Sequence, residues 1–476
     1  MTIKAGLLSG AVLTLLLGGC AVGPDYQPPV APVAANYTRE PVNLGDGVLT
    51  TTDSKVQRDW WKAYGAPEID QLVQLALQNN PSVEVALANL KVAKENVAAQ
   101  RGYYLPSVQL GVSATQQNVG STQSSPLSSG DSVYSYRSAQ LSVGFVPDIF
   151  GSNRRQVESL QAGADGQWYQ LQATRVTLAS NVVAAAIQEA VLAEQVSVLQ
   201  AAIAVAAEQL QHTRNMQEHG YASGIDLAQQ ENSLAQLQLA LPPLQKQMQQ
   251  TRDFLALLCG RGPDAKLPSV KLAQLTLPAQ LPSAIPSQLV SQRPDIQAAL
   301  SQVQASSAQI GVAQANRLPQ FLITALAGGG ATDFASMFAP GNQIWALGVN
   351  LTQPLFSGGT LTARKRAAEA AYTGAVAQYR NVVLTAFQNV ADSLYALDTD
   401  NRALLMAKAA ETANQKSWEL TQAQLVRGYA SRPSMLATQQ AYLLGKVARL
   451  TSLGNYLSDT VALQLALGGG VDLERR

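Results

Sequence analysis

Charged residues are scarce in this chain of 476 residues. Asp, Glu, Lys and Arg make up 14% of it, against about 25% in ordinary soluble domains. The 33 basic and 32 acidic residues nearly cancel, and the formal net charge is +1. A neutral chain offers no electrostatic basis for binding a polyanion. The composition therefore predicts no nucleic-acid partner.

Residues that commonly bind metals or react covalently are also few. The cysteines are Cys20 and Cys259, and the histidines are His212 and His219. Cys20 lies in a predicted targeting segment, so no disulfide framework is available. The histidines lie seven residues apart without an acidic cluster beside them, which predicts surface residues rather than metal ligands. Phosphate-binding, nucleophile-elbow and zinc-protease motifs are absent. We expect no enzyme activity, no cofactor and no metal.

The N-terminus has the pattern of a signal peptide over residues 1–19. Lys4 supplies a positive charge, and the apolar run 5–17 is too short to span a bilayer. Small residues then precede Cys20, which predicts cleavage before this residue and acylation of its thiol. Acyl chains would hold the N-terminus in a membrane at about 0.8 kcal/mol per buried CH₂. Ala21 follows instead of Asp, which favours the cell outer membrane over the inner one.

The chain lacks a later run of 18 apolar residues, which predicts no transmembrane helix. Alternating apolar and polar residues instead predict four strands, at about 107–117, 136–147, 320–328 and 342–354. A period of two directs one row of side chains toward lipid and the other toward a polar lumen. Any membrane crossing would therefore be made by β-strands.

The sequence repeats itself once. Pro81–Pro106 and Pro294–Pro319 have the same layout and length, and each ends before a predicted strand. Gly-Tyr-Ala-Ser occurs at 220–223 and again at 428–431. We predict a first repeat at 58–260 and a second at 286–468. The linker 261–285 joins them, an extended arm (20–57) precedes them and a tail (469–476) follows.

Each strand pair is followed by long helical segments, predicted at about 151–218, 224–258, 358–427 and 432–466. Apolar residues recur every seven positions, as in a coiled coil. At 1.5 Å per residue the first of these helices would span roughly 95 Å, enough to cross the periplasm. Pro242-Pro243 predicts a kink or a break in the second of them.

Four strands cannot close a barrel, and an open sheet edge in lipid leaves backbone groups unpaired. Two copies would give eight strands with an interior filled by side chains, whereas three would give twelve strands and a lumen. With four long helices per copy, a trimer would also form a twelve-helix tube. We therefore predict a homotrimer with a twelve-stranded β-barrel on an α-helical barrel.

Several motifs carry a resemblance to a known family. They are Cys20-Ala-Val-Gly-Pro-Asp-Tyr, Trp60-Trp61, Leu241-Pro-Pro-Leu, Arg293-Pro-Asp-Ile, Ile310-Gly-Val-Ala-Gln-Ala, Gln353-Pro-Leu-Phe-Ser-Gly-Gly and Ala466-Leu-Gly-Gly-Gly. The chain resembles the TolC-like outer-membrane efflux proteins, in particular their NodT or RND-type lipoprotein branch. The resemblance implies a homotrimeric channel that docks to a periplasmic adaptor and an inner-membrane pump, of the RND type. The chain departs from the family pattern at Leu300 and Ser434, where acidic residues are often found.

The two Gly-Tyr-Ala-Ser turns are the predicted functional site. We expect the periplasmic tips and adaptor contacts to be formed by Gly220, Tyr221, Ala222, Ser223, Gly428, Tyr429, Ala430 and Ser431. Candidate gate residues are Asp226, Arg432 and Tyr429. The alternative for the serines is simple helix capping, and the alternative for Arg432 is a solvated charge.

The leading function is a passive exit duct for small-molecule efflux. Two alternatives remain open at this stage: the exit duct of a type I protein secretion system, and a lipid-anchored periplasmic coiled-coil scaffold. The sequence does not identify the cargo.

Overall fold

The computed structural model describes residues 21–34, 36–40, 42, 49–51, 57–120, 129–277, 280–282 and 292–470. The helices in these residues are α1 Pro67–Asn79, α2 Pro81–Gly102, α3 Ser152–Glu218, α4 Gly224–Leu258, α5 Pro294–Ala315, α6 Thr360–Val426 and α7 Arg432–Ala466. The strands are β1 Leu49–Thr51, β2 Ser107–Asn118, β3 Val133–Phe145, β4 Gln280–Pro282, β5 Gln320–Ala331 and β6 Gln343–Thr352. Short 3₁₀ helices occur at Trp60–Tyr64 and Leu272–Gln274.

Four long strands form one antiparallel sheet in the order β2-β3-β5-β6. The register places apolar residues of all four strands in rows on one face. One such row is Val108, Val143, Ala325 and Leu347, and the next is Leu110, Leu141, Ala327 and Trp345. The opposite face carries rows such as Ser107, Gly144, Thr324 and Gly348. This separation confirms the alternation predicted from the sequence, with one apolar and one largely small and polar face.

A second, smaller sheet was not predicted. β1 and β4 pair in parallel through three residues each, with Leu49 opposite Gln280. β1 lies in the segment expected to be an extended arm, and β4 lies in the expected linker. Periodicity cannot reveal a pairing of three residues, because one alternation is too short to count.

The chain divides into two compact units, and each draws on both sequence repeats. The described residues of the first unit lie in the ranges 21–29, 90–120, 129–167 and 299–379, and this unit contains the four-stranded sheet. The second comprises 30–89, 168–298 and 380–476.

The core of the second unit explains two of the sequence motifs. Trp60 and Trp61 are buried, and the nearby hydroxyl of Tyr64 lies 2.6 Å from the hydroxyl of Thr460 on α7. Arg293, which precedes α5, donates from Nη1 to the carbonyl of Ala466 at the end of α7 (2.7 Å). Its Nε and Nη2 donate to the two carboxylate oxygens of Asp295, at 3.0 and 2.6 Å. The Arg-Pro-Asp motif thus satisfies a helix-terminal carbonyl and orients the guanidinium that does so.

The long helices repeat in length as well as in sequence. α3 and α6 have 67 residues each, and α4 and α7 have 35 each. The heptad row of α3 is buried throughout, and it consists of Leu171, Leu178, Ala185, Leu192, Leu199 and Ala206. Near its end, Leu199 and Ala206 pack against Leu237 of α4. The burial of one row at this spacing confirms coiled-coil packing.

Of the predicted kink or break at Pro242-Pro243, the break does not occur, because α4 continues through both prolines. The prolines leave the carbonyls of Gln238 and Leu239 without their usual intrahelical partners. Both residues are exposed to solvent, so water can satisfy these carbonyls and the helix persists.

One described helix, α3, is long and apolar enough to cross a membrane by length and composition alone. However, 56% of its most apolar 18 residues are buried inside the structure. A core helix has the same properties, so this is weak support for a membrane span.

Candidate functional site at two matched helical turns

The α3–α4 turn reverses the chain through a glycine-dependent helix end. Gly220 has a φ of +78°, a backbone conformation that favours glycine. The N–H of Gly220 donates to the carbonyl of Gln217 (2.9 Å), and the N–H of Tyr221 donates to that of Met216 (2.8 Å). Such bonds satisfy the last carbonyls of a helix. The sequence thus ends α3 at this position and allows α4 to begin four residues later.

The α6–α7 turn has the same geometry. Gly428 also has a φ of +78°. The N–H of Gly428 donates to the carbonyl of Leu425 (3.0 Å), and that of Tyr429 donates to Gln424 (2.8 Å). The repeated Gly-Tyr-Ala-Ser sequence therefore encodes one turn structure twice.

The two turns differ in how the returning helix is capped. Ser223 forms a full capping box with Asp226: its hydroxyl oxygen accepts from the Asp226 N–H (3.2 Å), while its own N–H donates to the carboxylate (2.9 Å). Bonds from the backbone N–H and the hydroxyl of Ser223 lower the pKa of Asp226. Ser431 caps α7 by accepting from the N–H of Ser434 (3.3 Å), but Ser434 offers no carboxylate in return.

Arg432 lies in the first turn of α7, where a cation is unfavourable beside the positive end of the helix dipole. Its guanidinium donates from Nε to Glu208 of α3 at 3.0 Å. Both side chains are about half exposed, so this ion pair contributes about 0–1 kcal/mol. The pair neutralises the cation, while buried packing of Met435 and Leu436 against Val205 holds the start of α7 on α3.

Large apolar side chains are exposed at both turns. Tyr221 is 79% exposed and Ile225 is 72% exposed at the first turn, while Tyr429 is 82% exposed and Val426 is 84% exposed at the second. Exposed apolar side chains clustered at one place commonly mark a protein-binding surface. Each turn therefore presents a tyrosine and a β-branched residue to a partner.

The predicted gate residues do not contact one another within the described chain. The Asp226 carboxylate is used by the helix cap, Arg432 binds Glu208, and Tyr429 is exposed. Sequence reasoning missed Glu208, because nothing in the local pattern relates it to a residue 224 positions later. The predicted lipid-attachment residue, Cys20, lies outside the described residues.

Three comparisons place this architecture among known proteins. The model of the outer membrane efflux protein family matches residues 72–261 and 285–469, once in each sequence repeat. The pyoverdine export outer membrane protein OpmQ of Pseudomonas putida is 30% identical over 434 residues, covering 89% of this chain and 91% of its own. The toluene efflux pump outer membrane protein TtgC, also of Pseudomonas putida, is 29% identical over 465 residues, covering 98% and 95%.

Solved structures share the fold at lower identity. The outer-membrane channel OprN superposes with a TM-score of 0.82 at 24% identity, over 95% of this chain and 99% of its own. The Campylobacter jejuni CmeC outer membrane channel gives a TM-score of 0.84 at 22% identity, over 96% of each chain. With two family matches that together span most of its length, the chain belongs to the outer membrane efflux protein family.

Proposed function

We propose that this outer-membrane efflux protein is the passive exit duct of a tripartite efflux system and acts as a homotrimer. The observation that carries the proposal is the four-stranded sheet. Its apolar rows are exposed: Leu110 is 74% exposed, Trp345 is 79% exposed and Leu347 is 72% exposed. An apolar face of this kind fits contact with lipid better than contact with water.

The edges of this sheet support pooling of strands between copies. β2 and β6 are the outer strands, so each has one side without a partner strand in the described chain. In lipid, every unpaired backbone group costs several kcal/mol. Pairing β6 of one copy with β2 of the next removes both edges, and three copies give twelve strands around an aqueous lumen.

The two matched turns are proposed as the docking surface for a periplasmic adaptor, which in turn joins an inner-membrane pump of the RND type. Exposed Tyr221, Ile225, Val426 and Tyr429 supply apolar contacts. The names of TtgC and OpmQ assign those relatives to an efflux pump and to export. The RND assignment for this chain depends on its resemblance to that branch of the family.

Two finer assignments are also proposed. Cys20 carries the lipid anchor, because small residues precede it at the end of a signal-like segment.

Arg432, Tyr429 and Asp226 act at the gate. Arg432→Ala removes the ion pair that links the start of α7 to Glu208 of α3, so it should raise single-channel conductance in planar bilayers. Unchanged conductance would reject Arg432 as a gate residue.

Conductance and trimer stability test the duct directly. Purified protein should run as a heat-modifiable trimer and conduct ions across planar lipid bilayers. A lipid-anchored scaffold would bind membranes without conducting.

In cells, a bulky residue at Gly220 or Gly428 should abolish efflux and leave trimers intact, because either change disrupts a docking turn that has φ above zero. Unchanged drug susceptibility in both variants would contradict the docking assignment.

A further inference from the structure

The first described residues of the chain lie tightly against the start of α3. The N–H of Val22 donates to the carbonyl of Phe150 at 3.1 Å. Gly151 has a φ of +76°, and a Cβ built on it would lie 2.6 Å from the Cβ of Ala21. Real Cβ atoms do not approach this closely. Glycine at 151 therefore allows Ala21 to lie directly on the backbone.

A second glycine contact lies beside the first. A Cβ on Gly23 would lie 2.4 Å from the Cα of Gly311, and a Cβ on Gly311 would lie 2.9 Å from the carbonyl oxygen of Val22. Gly311 is inside α5, where glycine costs about 0.5–1 kcal/mol relative to alanine. The close approach of residues 22–23 and of the Arg155 side chain, whose Cγ would lie 2.8 Å from such a Cβ, explains why a small residue is needed in this helix.

Arg155 completes the contact from α3. Its side chain is 7% exposed. It donates from Nε to the carbonyl of Val22 (3.2 Å), and from Nη2 to the carbonyl of Gly23 (3.4 Å) and to the Asp25 carboxylate (2.8 Å). Nη1 donates to Glu158 (2.8 Å). A buried guanidinium needs its donors satisfied, and here most of them are used on residues 22–25.

We propose that Gly151, Arg155 and Gly311 form a docking clamp for residues 21–25, and that this clamp fixes the point where a membrane anchor leaves the protein. All of these residues belong to the first compact unit. The first half of the proposal depends only on the contacts above. The second half rests on the proposed lipid at Cys20.

The clamp matters because of where it acts along the chain. Cys20 immediately precedes Ala21, so a clamp on Ala21 leaves no spacer between the anchor and the folded body. A free proline-rich linker would instead extend by about 3.1 Å per residue, which would let the anchor lie far from the folded body. Phe150 and Gly151 lie a few residues after β3, which carries the apolar row. The clamp therefore sets the anchor beside the end of a strand proposed to face lipid.

Hydrogen exchange on the full-length protein in lipid nanodiscs tests the docking. In the parent, the Val22 amide should exchange slowly because it donates to Phe150. Arg155→Ala removes the donors, and Gly311→Ala inserts a methyl group against the Arg155 side chain and the Val22 carbonyl without altering charge. Each should speed exchange at Val22 at least tenfold, and Arg155→Lys should fall between because it lacks the planar fork. The control is Gly163→Ala on α3, whose Cβ would meet nothing within 4 Å.

Spin-label distances test the fixed exit point. Nitroxide labels are attached at Pro24→Cys and Lys94→Cys, which both lie in the first unit. Mixing labelled with unlabelled protomers suppresses the signal from labels on different copies. Burial raises the pKa of the Cys259 thiol to about 11, and the proposed acylation blocks the Cys20 thiol, so both native cysteines should stay unlabelled. A narrow distribution in the parent that broadens in Gly311→Ala supports the clamp. Fast Val22 exchange in the parent, or equal distributions in parent and variant, would overturn it. If the protein does not conduct ions but Val22 exchange and the spin-label distances are as expected, the proposed exit duct is rejected. Docking of residues 21–25 by the clamp is then still supported.

Discussion

At the residue scale, the difference between the two turns comes down to one carboxylate. Asp226 closes a capping box in the first turn, and Ser434 occupies the matching position in the second. Ser434→Asp should complete the second box and slow hydrogen exchange at the amides of Ser431, Arg432 and Ser434. Asp226→Asn should speed exchange at residues 223–226, because the side chain loses its charge and part of its acceptor strength.

The pH dependence of this cap has a defined sign. Since the pKa of Asp226 is lowered in the folded protein, its contribution is present at neutral pH and is lost as pH falls through that lowered value. Exchange in the first turn should therefore show no loss of protection between pH 8 and pH 5. Equal protection of the two turns in the parent would contradict the assigned role of the carboxylate.

A second residue-scale prediction concerns Asp459 on α7. Burial, followed by the charge of Asp400 and a hydrogen bond to it, raises the pKa of Asp459 from 3.8 to about 6. The folded state therefore binds more protons than the unfolded chain between these values. This group's stabilisation is full below pH 3.8 and is lost as pH rises through about 6.

Asp459→Asn should consequently flatten the stability profile between pH 4 and pH 7. At pH 7.5 it should raise the free energy of unfolding by on the order of 1 kcal/mol, since the site is partly solvated. Thermal melts across this pH range measure both effects. Asp392→Asn, at an exposed position of α6, is the matched control and should leave the profile unchanged. An Asp459→Asn profile parallel to that of the parent across this pH range would refute the assignment.

Residue-scale chemistry was only partly predictable from the sequence. Helix capping by Ser223 and Ser431, given as the alternative for these serines, could be inferred because capping is local. The bond from Arg432 to Glu208 and the clamp of Arg155 on residues 22–25 could not be inferred. Each joins residues more than 100 positions apart, and no periodic pattern encodes the partner of a single charge.

At the scale of the elements, regular repetition made the sequence informative. Heptad spacing predicted long helices, and alternation predicted four strands, because both patterns extend over many residues. Shorter features escaped this reasoning. The β1–β4 pair has three residues per strand, and the continuity of α4 through Pro242-Pro243 depends on exposure of the preceding carbonyls, which a proline alone does not reveal.

Close helix packing gives a prediction at this scale. Gly454 is buried on α7, and a Cβ placed there would lie 3.0 Å from Cγ1 of Val191 on α3. Gly454→Leu should therefore force α7 away from α3 and lower the free energy of unfolding by about 1–3 kcal/mol. Chemical denaturation followed by circular dichroism measures this change.

The control is Gly374→Leu on α6, where a Cβ would meet nothing within 4 Å. Because leucine is a better helix former than glycine at an exposed position, the free energy of unfolding of this variant should rise by about 0.5–1 kcal/mol. Substitution by leucine should thus lower the free energy of unfolding at Gly454 and raise it at Gly374. A stabilised Gly454→Leu variant would show that α3 and α7 do not pack as closely as described.

At the scale of the whole molecule, the family assignment and the sheet support each other. The family model matches each sequence repeat once, and each repeat supplies two strands of the four-stranded sheet. Duplication therefore doubles the strands per chain without closing the sheet. The proposed assembly would pair the two edges that the sheet leaves open in the described residues, so backbone hydrogen bonding supports it as well as family likeness.

The two faces of β6 allow this assembly to be tested with one type of substitution. Leu347 lies in the apolar row with Ala325, Val143 and Val108, whereas Asn350 pairs with Leu322 and lies on the opposite face. If the apolar row faces lipid, Leu347→Lys places a charge in the bilayer at about 2–4 kcal/mol per copy near the midplane. Asn350→Lys places the same charge in a water-filled lumen at little cost.

Leu347→Lys should therefore reduce the amount of heat-modifiable trimer in the outer membrane, while Asn350→Lys should keep it near the parent level. Gel mobility of unheated and heated membrane extracts measures both. The cost applies in three copies at once, so even a moderate penalty per chain becomes large for the assembled barrel. Loss of trimer in Asn350→Lys with retention in Leu347→Lys would mean that the polar face meets lipid, and equal amounts in both would mean that neither face does.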